Sequence, residues 1–181
     1  MQNHKTWREK LLDSKDLPRI EKIAGKMTKA WGEGTIVMPA PIEIDAIMRG
    51  VPKGKLITLG EIQTQVAKKH KATIGCPITA GVFAGIAANA AEEALLEGEK
   101  RITPYWRTLK TGGELNSKYP GGLARSRELL EAEGHKVVAK GKRLFVEGFE
   151  QSLASQKPVR SKNRMVDGVL IKSKRVSRAR F

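Results

Sequence analysis

Apolar residues along this chain recur mostly at helical spacing, in stretches cut by Gly- and Pro-rich turns. Residues 5–14 predict a first helix and residues 16–31 a second. In the second, Ile20, Ile23, Ala24, Met27, Ala30 and Trp31 share one face, Asp16 stands at the cap and Pro18 in the first turn. The GEG at 32–34 ends it, and Trp7 and Trp31 are expected to pack against the domain behind them. MPAP at 38–41 reads as an entry turn to a compact domain that begins near Thr35. A short helix over 42–50 turns Ile44, Ile47 and Met48 inward, VPKGK at 51–55 is a turn, and Leu56-Ile57-Thr58 is a strand candidate.

Thr58 then precedes a helix over 59–70 with Glu61 three positions on, a capping-box spacing. Leu59, Ile62 and Val66 form its inner side. Pro77 opens another helix over 77–97, PITAGVFAGIAANAAEEALLEG, crowded with Ala and Gly. Small side chains let a backbone approach its neighbour closely. Two helices joined by a short turn fit a helix-turn-helix reader or two packed helices of an all-α domain. PYWRTLKTGGELNSKYPGG (104–122) has the composition of a binding loop. Leu123–Glu133 is strongly helical, with Gly134 as its stop, and KVVAKGKRLFV (136–146) alternates about a Lys-Gly turn as a β-hairpin does. Helix pair, helix, hairpin is the order of a winged helix, so the expected class is mainly α with one small hairpin.

Charge adds a partner to this picture. The 181 residues carry net +15, and the last 31 hold 9 basic side chains against one acid, more than half of the excess. Such an imbalance speaks of polyanions, not of fold. Three units follow: a helical extension (1–34), the winged-helix domain (35–152) and a basic tail (153–181), too poor in apolar residues for a core and expected to be disordered in isolation. VDGVLI (166–171) is the one stretch there that reads as a strand or docking segment. No apolar run has spanning length, no basic amphipathic helix suits a membrane surface, and MQNHKTWREK lacks the apolar stretch of a secretory signal. One cysteine, Cys76, and scattered His4, His70 and His135 give zinc no support, and no cofactor is expected. Cys76 reads as a packed thiol at a helix start, and a reducing cytoplasm, with nucleoid association, is the expected location.

Pro52-Lys53-Gly54-Lys55, Asn89, Pro104-Tyr105-Trp106-Arg107, Tyr119-Pro120-Gly121-Gly122-Leu123 and Leu129-Leu130-Glu131-Ala132-Glu133-Gly134 form a series of short motifs. Over about residues 40–150 this series resembles the C-terminal winged-helix domain of the alkylguanine-DNA alkyltransferases, and their non-enzymatic alkyltransferase-like relatives. The resemblance implies that Tyr105 stands where the enzymes place the accepting Cys, and Trp106 where they place the His that activates it. A phenol of pKa about 10 and an indole supply no such nucleophile near neutral pH. Glu133 takes the place of the Glu that orients the His, and is expected to accept a hydrogen bond from the Trp106 indole instead. Leu59 aligns with the family's base-rotating tyrosine and Ala87 with its stack-filling arginine. An insertion around 92–103 lengthens the second helix or the loop after it.

These readings predict a non-catalytic DNA-binding protein with a vestigial pocket at Leu59, Asn89, Pro104, Tyr105, Trp106, Tyr119 and Glu133. The aromatic pair either fills that pocket or stacks on an unpaired base; the apolar Leu59 favours filling. Phosphate contacts on double-stranded DNA are expected from Lys53, Lys55, Lys68, Lys69, Lys71, Arg107, Lys140, Lys142 and Arg143. An adaptor for RNA or an acidic protein is the alternative, and a residual alkyltransferase a weaker one. Oligomeric state is not legible.

Overall fold

A computed structural model describes residues 5–154, a mainly helical body carrying three small sheets. Six helices occupy Trp7–Leu12 (α1), Lys26–Trp31 (α2), Pro41–Arg49 (α3), Leu59–His70 (α4), Pro77–Leu96 (α5) and Gly122–Ala132 (α6). The strands are Arg19–Lys22 (β1), Thr35–Met38 (β2), Ile57–Thr58 (β3), Ile74–Gly75 (β4), Thr108–Leu109 (β5), Val137–Lys140 (β6) and Arg143–Val146 (β7). The sheets order as β1-β2-β4, β3-β5 and β6-β7.

From α3 onward the helices, β3 and the hairpin stand where the pattern places them, whereas β4 and β5 fall in stretches read as a turn and a loop. Thr58 caps α4 through its hydroxyl, and Glu61 returns the bond to the Thr58 N–H at 2.9 Å. Pro77 starts α5, which runs on to Leu96 through the inserted residues. The hairpin pairs Val137 with Val146 and Lys140 with Arg143. Gly134 follows α6 at φ +88°, the left-handed stop expected of it.

The N-terminal segment departs from expectation. The helix predicted over 16–31 is broken into β1 and the short α2. β1 lies antiparallel to β2, with Ile20 opposite Val37. Pro18 disfavours helical geometry at Leu17, and Gly25 turns at φ +60°. Pairing with the free edge of β2 then decides the matter over local spacing. Asp16 caps nothing. Ile20 and Met27, assigned to a buried face, are 48% and 39% exposed, whereas Ile23 and Trp31 pack with Ile36 and Cys76. Residues 5–34 are thereby joined to the rest through the first sheet. At the other end, Leu153 bridges Leu56 and the Ala154 N–H donates to the Leu56 carbonyl at 2.8 Å. The rest of the basic tail, with VDGVLI, lies outside the described residues.

α5 is the central strut. Its inner face is almost all alanine: Ala80, Ala84, Ala87, Ala88, Ala90 and Ala91 are buried in the main core with Ile44, Met48, Ile62 and Val66. Alanine buries little area, so the gain comes from close approach of α3, α4 and α1 to its backbone. A second core joins Leu56, Leu109, Leu115, Leu130, Val137 and Val146 beneath the hairpin. Trp106 packs against both.

One contact sets how tightly β4 lies on α4. A Cβ built on Gly75 would stand 2.5 Å from the Gln63 carbonyl oxygen, a backbone atom that cannot swing away. Gly75→Ala is expected to destabilise by about 1–3 kcal/mol, read as a lower urea midpoint at unchanged m-value.

Candidate nucleic-acid interface and the buried aromatic site

Tyr105 lies on a 3₁₀ turn, Tyr105–Arg107, between α5 and β5. Two hydrogen bonds set that turn: the Tyr105 N–H to the Thr103 carbonyl at 2.8 Å, and the Arg107 N–H to the Pro104 carbonyl at 3.1 Å. Thr103 is itself anchored, its hydroxyl donating to the buried Asp45 carboxylate of α3 at 2.5 Å. The Tyr105 ring is fully buried, 5.4 Å from Trp106 and 5.7 Å from Tyr119, edge-to-face with both. Its hydroxyl donates to Glu92 of α5. Burial first, then the Glu92 bond and negative charge, push the phenol above its ordinary value. Burial does the same to Tyr119. The Tyr105 position thus holds a neutral, hydrogen-bonded hydroxyl on a ring closed off from solvent.

Trp106 and Arg107 converge on Glu133, just past α6. The indole N–H donates to Oε1 at 2.9 Å, as expected from the sequence. The Arg107 guanidinium grips the same carboxylate at 2.7–3.0 Å, and the Gly54 N–H donates to Oε2 at 3.1 Å. One carboxylate therefore ties together the Pro-Lys-Gly-Lys turn, the 3₁₀ turn and the end of α6. Burial pushes the Glu133 carboxyl up, but the bonds from Arg107, Gly54 and Trp106 outweigh it and hold it below the usual range.

Arg107, counted among the phosphate contacts on sequence, is bonded into the fold through all three of its nitrogens. Its Nη1 donates to the Val51 carbonyl at 2.7 Å, its other nitrogens face Glu133, and its side chain is 13% exposed. Sequence gives no warning, because the same Arg reads equally well as a cation or as a lock. Lys69 is exposed but paired with Glu43, which also faces His70 at 2.9 Å. Lys53, Lys55, Lys68, Lys71, Lys140 and Lys142 are exposed and, among the described residues, have no acidic partner. Arg143 reaches Glu114 only at 3.5 Å. Lys140 and Arg143 both stand over the Phe145 ring, which steadies the hairpin tip.

Ala87 is fully buried on the inner side of α5, so no stack-filling residue projects from that position. The outward face presents Ile78 and Val82, 65% and 55% exposed, with open space at Gly81 and Gly85. It has no Lys or Arg anywhere over Pro77–Leu96. This face, Leu59 and the loop carrying Lys110 and Asn116–Lys118 border an open cleft of about 620 Å³. Leu59 and Asn89 line it; Pro104, Tyr105, Trp106, Tyr119 and Glu133 do not. The seven pocket residues read from the sequence thus divide between an open cleft and a closed aromatic site. Asn89 stands within α5 and donates its amide N–H to the Gly85 carbonyl at 2.8 Å. Three residues escaped the sequence reading. Glu92, Lys118 and Trp7 come together with the site only through folding, and no local spacing announces them.

No protein-family model and no curated protein matches the chain. Solved structures that it resembles include S. pombe Atl1 in complex with damaged DNA containing O6-carboxymethylguanine, with 17% identity and a TM-score of 0.44, and S. pombe ATL in complex with DNA, with 16% identity and a TM-score of 0.45. Each comparison covers 64% of this chain and 94% of the other.

Trp106→Ala is expected to cost about 3–5 kcal/mol in chemical denaturation, because it removes the side chain that packs on both cores. A separate outcome concerns pH. Glu133 is depressed in the folded state, so its contribution is present above the ordinary carboxylate value near 4.5 and fades as pH falls through the lowered one. The stability gap between wild type and Glu133→Gln should be widest near neutrality and close on acidification, measured as urea midpoints from pH 7 to pH 3.

Proposed function

We propose that this chain is a non-catalytic DNA-binding protein, a winged helix-turn-helix in which α4 and α5 form the helix pair and β6–β7 the wing. One observation carries the proposal: exposed lysines without acidic partners stand at the turn before the helix pair, at the end of α4 and at the hairpin tip. Cations so placed suit a regular polyanion, whereas an ordinary solvated surface mixes both signs. The buried aromatic site supports the non-catalytic half of the reading. A nucleophile needs access and an activating base. Tyr105 has no access, and the indole at position 106 is no base.

Phosphate contacts would come from Lys53, Lys55, Lys68, Lys71, Lys140 and Lys142, with Lys69 and Arg143 able to exchange their carboxylates for phosphate. Arg107 takes no part. Affinity would then be largely sequence-independent, and the basic residues after Ala154 would add to it. Recognition of a lesion would fall to the cleft rather than to Tyr105. A cytoplasmic, nucleoid-associated location accords with such a partner.

The test is the salt dependence of binding to a short duplex, followed by fluorescence anisotropy between 50 and 200 mM salt. Each phosphate contact contributes about −0.9 to the log–log slope. Lys140→Ala with Lys142→Ala should flatten the slope by about 1.8. Truncation after residue 157, which spares the Leu153–Leu56 bridge, should flatten it further. Absence of duplex binding at 50 mM salt, or equal competition by double-stranded RNA and heparin, overturns the reading.

A further inference from the structure

We infer that the N-terminal helix α1 belongs to the nucleic-acid site and that Trp7 is a specificity-determining residue, packing against an unpaired nucleobase held in the cleft beside α5. The inference rests on the DNA-binding reading above.

Trp7 was expected to pack against the domain behind it. It is 39% exposed and borders the same cleft as Lys118. Lys10 stands 4.1 Å from the ring centroid, so the indole is oriented rather than loose. α1 is short, six residues, and its place is fixed from outside. The N–H groups of its first turn have no partner within the helix. Glu93 of α5 accepts them, from Arg8 at 2.8 Å and from Trp7 at 3.4 Å. The Arg8 guanidinium reaches on to Glu97 and Glu99, and Leu11 is buried in the main core. A carboxylate on α5 thereby places an aromatic ring from the N-terminal segment against the outward face of the same helix.

The cleft is built for one kind of occupant. Its walls are largely apolar, with the Trp7 ring beside the aliphatic Leu59, Ile78 and Val82. Its polar side chains are the amides of Asn89 and Asn116, the Ser117 hydroxyl and two lysines, Lys110 and Lys118, and no carboxylate lines it. Apolar faces with hydrogen-bonding edges and flanking negative charge describe a nucleobase on its phosphate backbone. Base–aromatic contact is sequence-tolerant, so Trp7 would select unpaired over paired bases rather than one base over another.

The experiment compares a duplex carrying one bulged adenine with the fully paired duplex of the same sequence, using the full chain. Wild type should prefer the bulge. Trp7→Ala should cut that preference roughly 5- to 100-fold while paired-duplex affinity holds, and Trp7→Phe should keep most of it. Glu93→Ala should imitate Trp7→Ala, since Glu93 acts only by positioning α1, and Glu93→Gln should retain part of the preference. A bulged 2-aminopurine should change its fluorescence on binding wild type and not Trp7→Ala. Equal affinity of wild type for the two duplexes overturns the inference while leaving DNA binding intact. So does a Trp7→Ala loss shared by both duplexes. Should Trp7→Ala fail to fold, an unchanged 2-aminopurine signal with wild type overturns it alone. Failure to bind either duplex strikes the DNA-binding reading itself.

Discussion

The Glu133 carboxylate holds three pieces of the domain in register. It receives the Trp106 indole and the Arg107 guanidinium from the 3₁₀ turn and the Gly54 amide from the Pro-Lys-Gly-Lys turn, and it stands itself at the end of α6. A buried carboxylate is costly by itself, and removing one partner of such a set usually costs more than the set adds. Here several donors satisfy it, which is why its carboxyl stays ionised despite burial. The turn bearing Lys53 and Lys55, the aromatic site and the end of α6 therefore shift together or not at all.

That constraint divides the molecule by role. Tyr105, Trp106, Arg107 and Tyr119 are built into the structure: rings edge-to-face, a hydroxyl on Glu92, an indole bridging two cores. On the proposed function, binding chemistry is left to the periphery, in the lysines of the turn, α4 and the hairpin, and in the cleft on the outward face of α5. That face has no Lys or Arg over the twenty residues of α5. Whatever anion comes to rest there is held from the flanks.

The sequence was legible where local rules and the final fold agree. The capping box at Thr58 and Glu61, Pro77 at the head of α5, and the Lys-Gly hairpin turn each carry their own geometry. It was illegible where a distant partner decides. Residues 19–22 have helical spacing, yet the open edge of β2 makes them a strand. Arg107 looks like a phosphate ligand, yet a carboxylate 26 residues later claims it. Trp7 and Glu93 lie 86 positions apart, and their link is invisible until α1 is laid on α5. At the site, the Trp106–Glu133 bond was readable because motif order fixed both positions. Glu92 beneath Tyr105 was not, because it falls within inserted residues that no motif covers.

The alanine face of α5 has a bearing on how such a protein could diverge. A helix packed through methyl groups tolerates almost no enlargement inward, since every added carbon meets a neighbouring backbone. Outward, at Ile78, Gly81, Val82 and Gly85, nothing crowds the surface. Lineages descended from this chain would therefore keep the strut and rewrite its exposed stripe, retuning what is recognised without disturbing how the chain folds.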